Sequence, residues 1–372
     1  MFIQGFILGL LLLRRDLPSS RKYHGVVKYH PRLKAAAASD NGAYKHINLH
    51  VYIQLIDWLQ RTFPATAYVN PSIAIDESPS IKGSKGVIAK YGTIMTDELI
   101  LCIPREACLT AETVLNDSDC GNIFQDLIKK AGPGGFTVAF AGYLAKEYLI
   151  SRYNIQDGSI YKKLYLESLP WDSTNQGHIL FWSDQLIEQS LTGSLCYEEA
   201  LGLRKEVELA RNLLTSILHP ILLKASTKNR ASPISILFGS QTKNNVFTDK
   251  DIIRGAITAA FVILLSRSFE DDSCQEMLQF ERPERLIPIL DMMNHNATPS
   301  ITYASNNVTG VVEVRACKNI VQGEELFNCY REMNLSTMPY HRFFTRFGFV
   351  PGLKSSEDIL LALKNKDPIF FP

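Results

Sequence analysis

Four short stretches of this sequence bring together residue types that could hold and act on a small charged molecule. They are Arg267-Ser268-Phe269, Pro288-Ile289-Leu290-Asp291-Met292-Met293-Asn294-His295, Gly323-Glu324-Glu325-Leu326-Phe327-Asn328-Cys329-Tyr330, and Arg346-Phe347-Gly348-Phe349-Val350. A guanidinium fork matches a carboxylate, and a tyrosine hydroxyl both donates and accepts. Each stretch alone also has an ordinary structural reading. An Asn-His pair after an apolar run can cap a strand end by satisfying local backbone groups. Tyr330 suits a half-buried sheet position, Arg267 complements the negative pole of a helix, and Phe349 suits a core. Their conjunction, in this order, is what calls for chemistry. Metal chemistry has little support: the seven cysteines (Cys102, Cys108, Cys120, Cys196, Cys274, Cys317, Cys329) are scattered and form no C-x-x-C pair. Gly132-Pro133-Gly134-Gly135 lacks the G-x-G-x-x-G spacing of a Rossmann site, and there is no Walker-type loop.

The elements that must position these residues fall into three stretches. Val51, Leu55, Trp58 and Leu59 recur at helical spacing and predict a short core helix starting near Asn48. After Pro64, Pro71, Pro79 and the Gly83-Ser84-Lys85-Gly86 turn come two β-type runs, Val87 to Ala89 and Leu99 to Ile103. From about Thr110 to Glu281 the pattern is helical: Val138, Ala141, Ala145 and Leu149 repeat at helical spacing, as do Leu203, Val207, Ala210, Leu214 and Ile217. Thr248 with Asp251 predicts a capped start for a helix over Ile252 to Ser266. Strand signals return in Leu286 to Leu290, Ile301 to Ala304, Val311 to Arg315 and Glu325 to Cys329, with turns at Asn306-Asn307 and Gln322-Gly323. Strands interrupted by a long helical block make an α+β plan rather than an alternating one.

The order and spacing of the four stretches resemble the split-SET, RuBisCO-methyltransferase-like family of SET-domain protein methyltransferases. Gly86-Val87-Ile88-Ala89 leading to Ile103-Pro104 is similar to that family's first strand pair, and Tyr161 to Trp182, with Tyr165 and Leu169-Pro170, to its inserted helices. The resemblance runs from Asn48 to Pro351. It implies small β-sheets with a pseudoknot, interrupted by a helical insertion. It divides the chain into a leader (1–47), a first SET segment (48–110), the insertion (111–285), a second SET segment (286–351) and a short tail (352–372). The implied cofactor is S-adenosylmethionine, with Arg267 on its carboxylate, Asn294 on its amino-acid end, the His295 backbone on the adenine edge and Phe349 stacked on adenine. Tyr330 is implied as the active-site tyrosine, Asp291 as a loop-steadying residue, and Gly134 and Phe136 as cofactor contacts ahead of a helix. Methyl transfer from a sulfonium to an amine needs orientation, desolvation and charge stabilisation, and no metal.

Three departures from the family pattern stand out. Phe347 occupies a position where lysine-specific relatives commonly have tyrosine, Arg331 replaces the usual glycine after the catalytic tyrosine, and Ile88 stands where some relatives have arginine. The resemblance therefore leaves three readings: a protein-lysine methyltransferase, a protein-histidine methyltransferase, and a catalytically silent SET fold that binds a partner. The absence of flanking cysteine clusters, typical of many histone-directed enzymes, points to a non-histone protein substrate. Lys plus Arg (39) nearly balance Asp plus Glu (38), so no global field draws in nucleic acid directly. The apolar run Phe2 to Leu13, about a dozen residues, is too short for a stable membrane span. Unpaired cysteines predict a reducing compartment, cytoplasmic or nuclear. Relatives continue after the Gly-Phe motif into a helical docking domain, whereas residues 352–372 hold one predicted helix, Ser355 to Lys364, and the run Ile369-Phe370-Phe371. Substrate recognition is then expected to rest on the insertion.

Overall fold

The computed structural model describes residues 49–81, 84–132, 134–153, 160–171, 177–230, 246–271, 283–330, 339–353 and 356–364. The expected leader, Arg331, Cys274 and the run Ile369-Phe370-Phe371 lie outside the described residues. Helix α1 (His50–Thr62) buries Val51, Leu55 and Leu59 as their spacing requires, and Tyr52 on the same face is buried with them. Strands β1 (Tyr68–Val69), β2 (Ile73–Glu77), β3 (Lys85–Ala89) and β4 (Leu99–Ile103) follow. The chain then runs through helices α2 (Ala111–Leu115), α3 (Gly121–Ala131), α4 (Gly135–Arg152), α5 (Ile160–Ser168), α6 (Asp184–Leu191), α7 (Cys196–Arg230) and α8 (Lys250–Arg267). It returns as β5 (Phe269–Glu270), β6 (Glu284–Arg285), β7 (Ile301–Ser305), β8 (Val312–Ala316) and β9 (Glu325–Leu326), and continues through α9 (Tyr340–Phe347) and α10 (Ser356–Lys364).

Strands from before and after the helical run share the sheets. One antiparallel sheet has the order β1-β4-β8-β7, a second has β2-β3-β9, and β5 pairs with β6. Within them, β4 sets Ile103 against Val312, and β3 sets Val87 against Leu326. The root of the helical run is pinned twice. Leu109 and Leu286 exchange backbone hydrogen bonds of 3.1 and 2.9 Å. Arg105 Nη1 donates to both carboxylate oxygens of Asp271, at 2.9 and 2.7 Å. Arg285, wholly buried beside that pair, donates to the Gly310 carbonyl at 2.9 Å and to the Ser305 hydroxyl. The α+β plan is thus realised with the helices leaving and re-entering at one place.

Two helices form the centre of the helical block. Residues 135–146 of α4 and 256–264 of α8 are buried almost without interruption, and the two helices pack on each other. An apolar helix buried all round has neighbours on every side, and here α7 supplies another wall to both. The cap of α8 differs from the Thr248 expectation: Asp249 accepts the Asp251 N–H at 2.8 Å, because Thr248 is already used in the short 3-10 turn Val246–Thr248. Leu286 to Leu290 is also not the predicted strand. The Leu290 N–H reaches the Pro288 carbonyl at 2.9 Å across Ile289, whose φ is 71°. That is a γ-turn of the strained hand, and it ends the extended run after the Leu286 bridge. Strand β9 is shorter than Glu325 to Cys329, since Asn328 leaves it to pair in parallel with His295.

Candidate active site

Three distant segments meet at Asn294. Its Nδ2 donates to the Lys85 carbonyl at 2.8 Å and to Glu325 Oε1 at 2.7 Å, so the amide fastens β3 and β9 to the loop that carries it. Around it the backbone repeats the tie: Asn328 N–H donates to the Asn294 carbonyl and Asn296 N–H to the Asn328 carbonyl, both at 2.9 Å. Glu325 is buried and takes the Ser78 hydroxyl on its other oxygen at 2.7 Å. This close packing requires glycine at position 86. A Cβ there would stand 2.2 Å from Glu325 Oε1.

Helix α8 delivers Arg267 at its carboxyl-terminal end, where a cation is favoured by the helix dipole. The strained turn at Ile289 leads into a 3-10 turn, Leu290–Met292, and Arg267 Nη1 donates to the Asp291 carbonyl at 2.5 Å. Asp291 itself is buried, and its Oδ2 accepts the hydroxyl proton of Tyr165 at 2.8 Å. Burial pushes its carboxyl up to about 6, against the opposing pull of Arg267. Asp291 thus ties its loop to Arg267 through its backbone carbonyl and to Tyr165 through its carboxyl group.

Tyr330 is held from both ends. Its N–H donates to His295 Nδ1 and its hydroxyl to the Met293 carbonyl, each at 2.9 Å. Burial raises the phenol to about 12, with Arg267 lowering and Asp291 and Glu325 raising it, so the hydroxyl keeps its proton at neutral pH. An aromatic wall completes the place. The Tyr330 ring centre lies 5.2 Å from His295 and 5.0 Å from Phe347, and Phe343 lies 5.1 Å from both His295 and Phe349. Phe349 is 37% exposed, which leaves ring area free beside a wall otherwise packed. Gly348, at φ 80°, supplies the left-handed turn that ends α9 and directs Phe349 away from it.

Arg267, Asp291, Asn294, His295, Tyr330 and Phe349 are thus parts of one region. Gly134 and Phe136 are not tied to it: no hydrogen bond or ring contact among the described residues joins either to the cluster. Gly134 precedes α4, its carbonyl accepting the Val138 N–H at 3.2 Å. Phe136 is fully buried 5.5 Å from the Phe140 ring, and we assign it to the core of the helical block. Other members had no individual signal in the sequence. Tyr52 and Lys85 belong to the region by packing, while Tyr165 and Glu325 stood within the stretches read from the sequence without a role of their own. Among the described residues no group of histidine, cysteine, aspartate or glutamate could hold a metal.

The family model of the SET domain matches residues 85–331, well over half of the chain. The chain belongs to the SET-domain family. Its SET fold is also similar to two solved structures. One is the SET domain of LSMT bound to lysine and AdoHcy, at 15% identity and TM-score 0.54, with 81% of this chain and 57% of that chain covered. The other is Rubisco LSMT bound to sinefungin and monomethyllysine, at 15% identity and TM-score 0.54, covering 81% and 56%. At that identity the likeness shows the fold alone, and the present SET chain spans little more than half the length of either structure. No curated protein matches the sequence. Among the described residues no helix of this SET protein is long and apolar enough to cross a membrane.

Proposed function

We propose that this SET protein is an S-adenosylmethionine-dependent protein-lysine N-methyltransferase of the split-SET, RuBisCO-methyltransferase-like kind, acting on a non-histone protein. The observation that carries the reading is the convergence of Arg267, Asn294, His295 and Tyr330 on one region beside the part-exposed ring of Phe349. The residues present fit the cofactor. Arg267 donates from Nη1 to the Asp291 carbonyl, which leaves further guanidinium donors for a carboxylate. The NH2 of Asn294 is committed to Lys85 and Glu325, so Oδ1 is the atom it offers to an ammonium group. The open face of Phe349 suits an adenine ring.

When bound, S-adenosylmethionine supplies a methyl group on a sulfonium. Tyr330 donates its hydroxyl proton to Met293, so its lone pairs remain as acceptors for weak C–H···O contacts. With a phenol near 12 it is a positioning and electrostatic group rather than a base. The aromatic wall of His295, Phe343 and Phe347 excludes water, and such surroundings favour the neutral form of an incoming lysine amine, whose ordinary pKa is about 10.4. Phe347, 5.0 Å from the Tyr330 ring and without a hydroxyl, supports a second reading in which the acceptor is a histidine. The same geometry is compatible with a silent fold that only binds a protein partner. Calorimetric titration with S-adenosylhomocysteine tests the cofactor site directly: a well-folded chain that takes up none contradicts the enzyme reading. Transfer of radiolabelled methyl to an identified protein, followed by amino-acid analysis, then separates lysine from histidine.

A further inference from the structure

Gly348 ends α9 in a left-handed turn between two rings of the aromatic wall, Phe347 and Phe349. The turn sets where both rings point, so a fixed ring position requires something rigid behind it. The helical run supplies that backing. The backbone of Gly177 and His178 passes directly over the turn: a Cβ added at Gly348 would stand 3.2 Å from His178 Cα, 3.3 Å from the His178 backbone nitrogen and 3.5 Å from the Gly177 carbonyl carbon. Main chain thus meets main chain.

His178 holds this segment in shape. It is 2% exposed, and its Nδ1 accepts the Leu180 N–H at 3.2 Å, which caps the 3-10 turn Ile179–Phe181. Burial pushes the imidazole down to about 4, with the backbone of Arg346 and Thr345 in the last turn of α9 pulling the other way. The ring is therefore neutral, and Nδ1 keeps the lone pair it needs as an acceptor. The segment is braced by its neighbours as well. Arg204 of α7 donates to the Ile179 carbonyl at 3.2 Å, and Trp182 Nε1 donates to the Gly177 carbonyl at 3.0 Å. The Trp182 ring in turn meets Phe344 of α9 edge-on, 5.7 Å between centres. Beyond the turn, Phe349 lies 5.1 Å from Phe343 and 6.3 Å from Phe347.

We infer that His178 is a positioning residue for the adenine side of the site: it locks the Gly177-His178 segment against the Gly348 turn and so fixes the ring of Phe349. The inference rests on the cofactor reading proposed above and brings a part of the helical run into it. It differs from a packing role, because leucine would fill the space of a buried imidazole without accepting from Leu180.

Titration calorimetry of the full chain with S-adenosylhomocysteine tests it, with thermal unfolding to confirm that each variant is folded. His178→Leu should weaken binding about fivefold, within the worth of one aromatic stack. His178→Asn, whose Oδ1 stands where Nδ1 does, should stay within about twofold of the parent. In a Phe349→Leu background the same His178→Leu change should cost less than about twofold further, because the ring it positions is gone. Should His178→Leu fail to fold, His178→Gln takes its place, its amide oxygen lying one bond too far out to accept from Leu180. A folded His178→Leu chain that binds as tightly as the parent, or that loses the same factor with either residue at 349, overturns the inference alone. So does a His178→Asn chain as weak as His178→Leu. A folded parent chain that takes up no S-adenosylhomocysteine, or a Phe349→Leu chain that binds it as well as the parent, overturns the reading of Phe349 as the adenine platform and this inference with it.

Discussion

Tyr330 is bound at both its ends, and this decides what its hydroxyl can do. The proton is committed to Met293 and the phenol is raised to about 12, so in the proposed methyl transfer removal of the hydroxyl deletes an acceptor and deletes no base. Tyr330→Phe is expected to slow single-turnover methyl transfer on the order of a hundredfold and to change S-adenosylhomocysteine affinity by less than about threefold. An unchanged transfer rate on an established substrate removes Tyr330 from the mechanism. Asp291 makes a different prediction, about pH. Its folded pKa near 6 stands above the ordinary 3.8, so folding favours the protonated carboxyl. The stability this contributes is fully present below about pH 4 and is lost as pH rises through about 6. Over that interval the unfolding free energy of the parent should fall, relative to Asp291→Asn, by on the order of 2–3 kcal/mol. Parallel curves for the two proteins across that range would show that the carboxyl is not perturbed.

At the scale of elements, the contact between β3 and β9 is the narrowest place in the site. The Cβ of an alanine at 86 would meet the Glu325 carboxylate at 2.2 Å, and Glu325 is anchored by Ser78 and Asn294. Gly86→Ala should therefore destabilise the protein by about 1–3 kcal/mol in urea unfolding. In a Glu325→Ala background, where the obstructing carboxylate is gone, the same change should cost much less. Additive effects of the two substitutions would refute a direct clash. The short strands depend on such side-chain ties: β9 has two residues, and Asn328 continues the pairing by crossing to His295.

At the scale of the whole molecule, the two parts of the SET fold meet across the root of a long helical run. Arg105, Asp271 and Arg285 lie at that root, with the Asp271 carboxylate fully shielded and Arg285 buried. Asp271→Ala leaves the buried Arg285 without its carboxylate and Arg105 with Glu112 alone, and loss of one partner of a buried pair costs about 3–5 kcal/mol. Thermal unfolding of that variant should occur well below the parent, while Arg105→Ala, whose charge is more exposed, should cost less. Equal melting of parent and Asp271→Ala would remove the root from the account of stability. The division of the chain into leader, two SET segments, insertion and tail remains our proposal, and these residues are the place to test its central boundary. The helix expected from Ser355 to Lys364 appears as α10 and packs against α6 and α9, with Leu363 buried.

The sequence alone was enough for the elements whose burial follows a simple period. The spacing of Val51, Leu55 and Leu59, the apolar lengths of α4 and α8, and the strand Leu99–Ile103 could each be read because one local rule governs them. The order of its four chemical stretches also pointed to the SET domain that the family model matches, and it put forward Arg267, Asp291, Asn294, His295, Tyr330 and Phe349 as site residues, whose roles remain proposals. Leu286 to Leu290 could not be read this way, since a run of apolar residues looks the same whether it forms a strand or a buried γ-turn after Pro288. Nor could Phe136, which has the same apolar character in a site as in a core. Tertiary structure alone decided that Asn294 spends its amide on Lys85 and Glu325, that Tyr165 reaches Asp291, and that Lys85 rests on Tyr52. Those partners come from segments far apart in the chain. Their hydrogen bonds exist because the sheets close around β9, and no local pattern encodes a contact that depends on that closure.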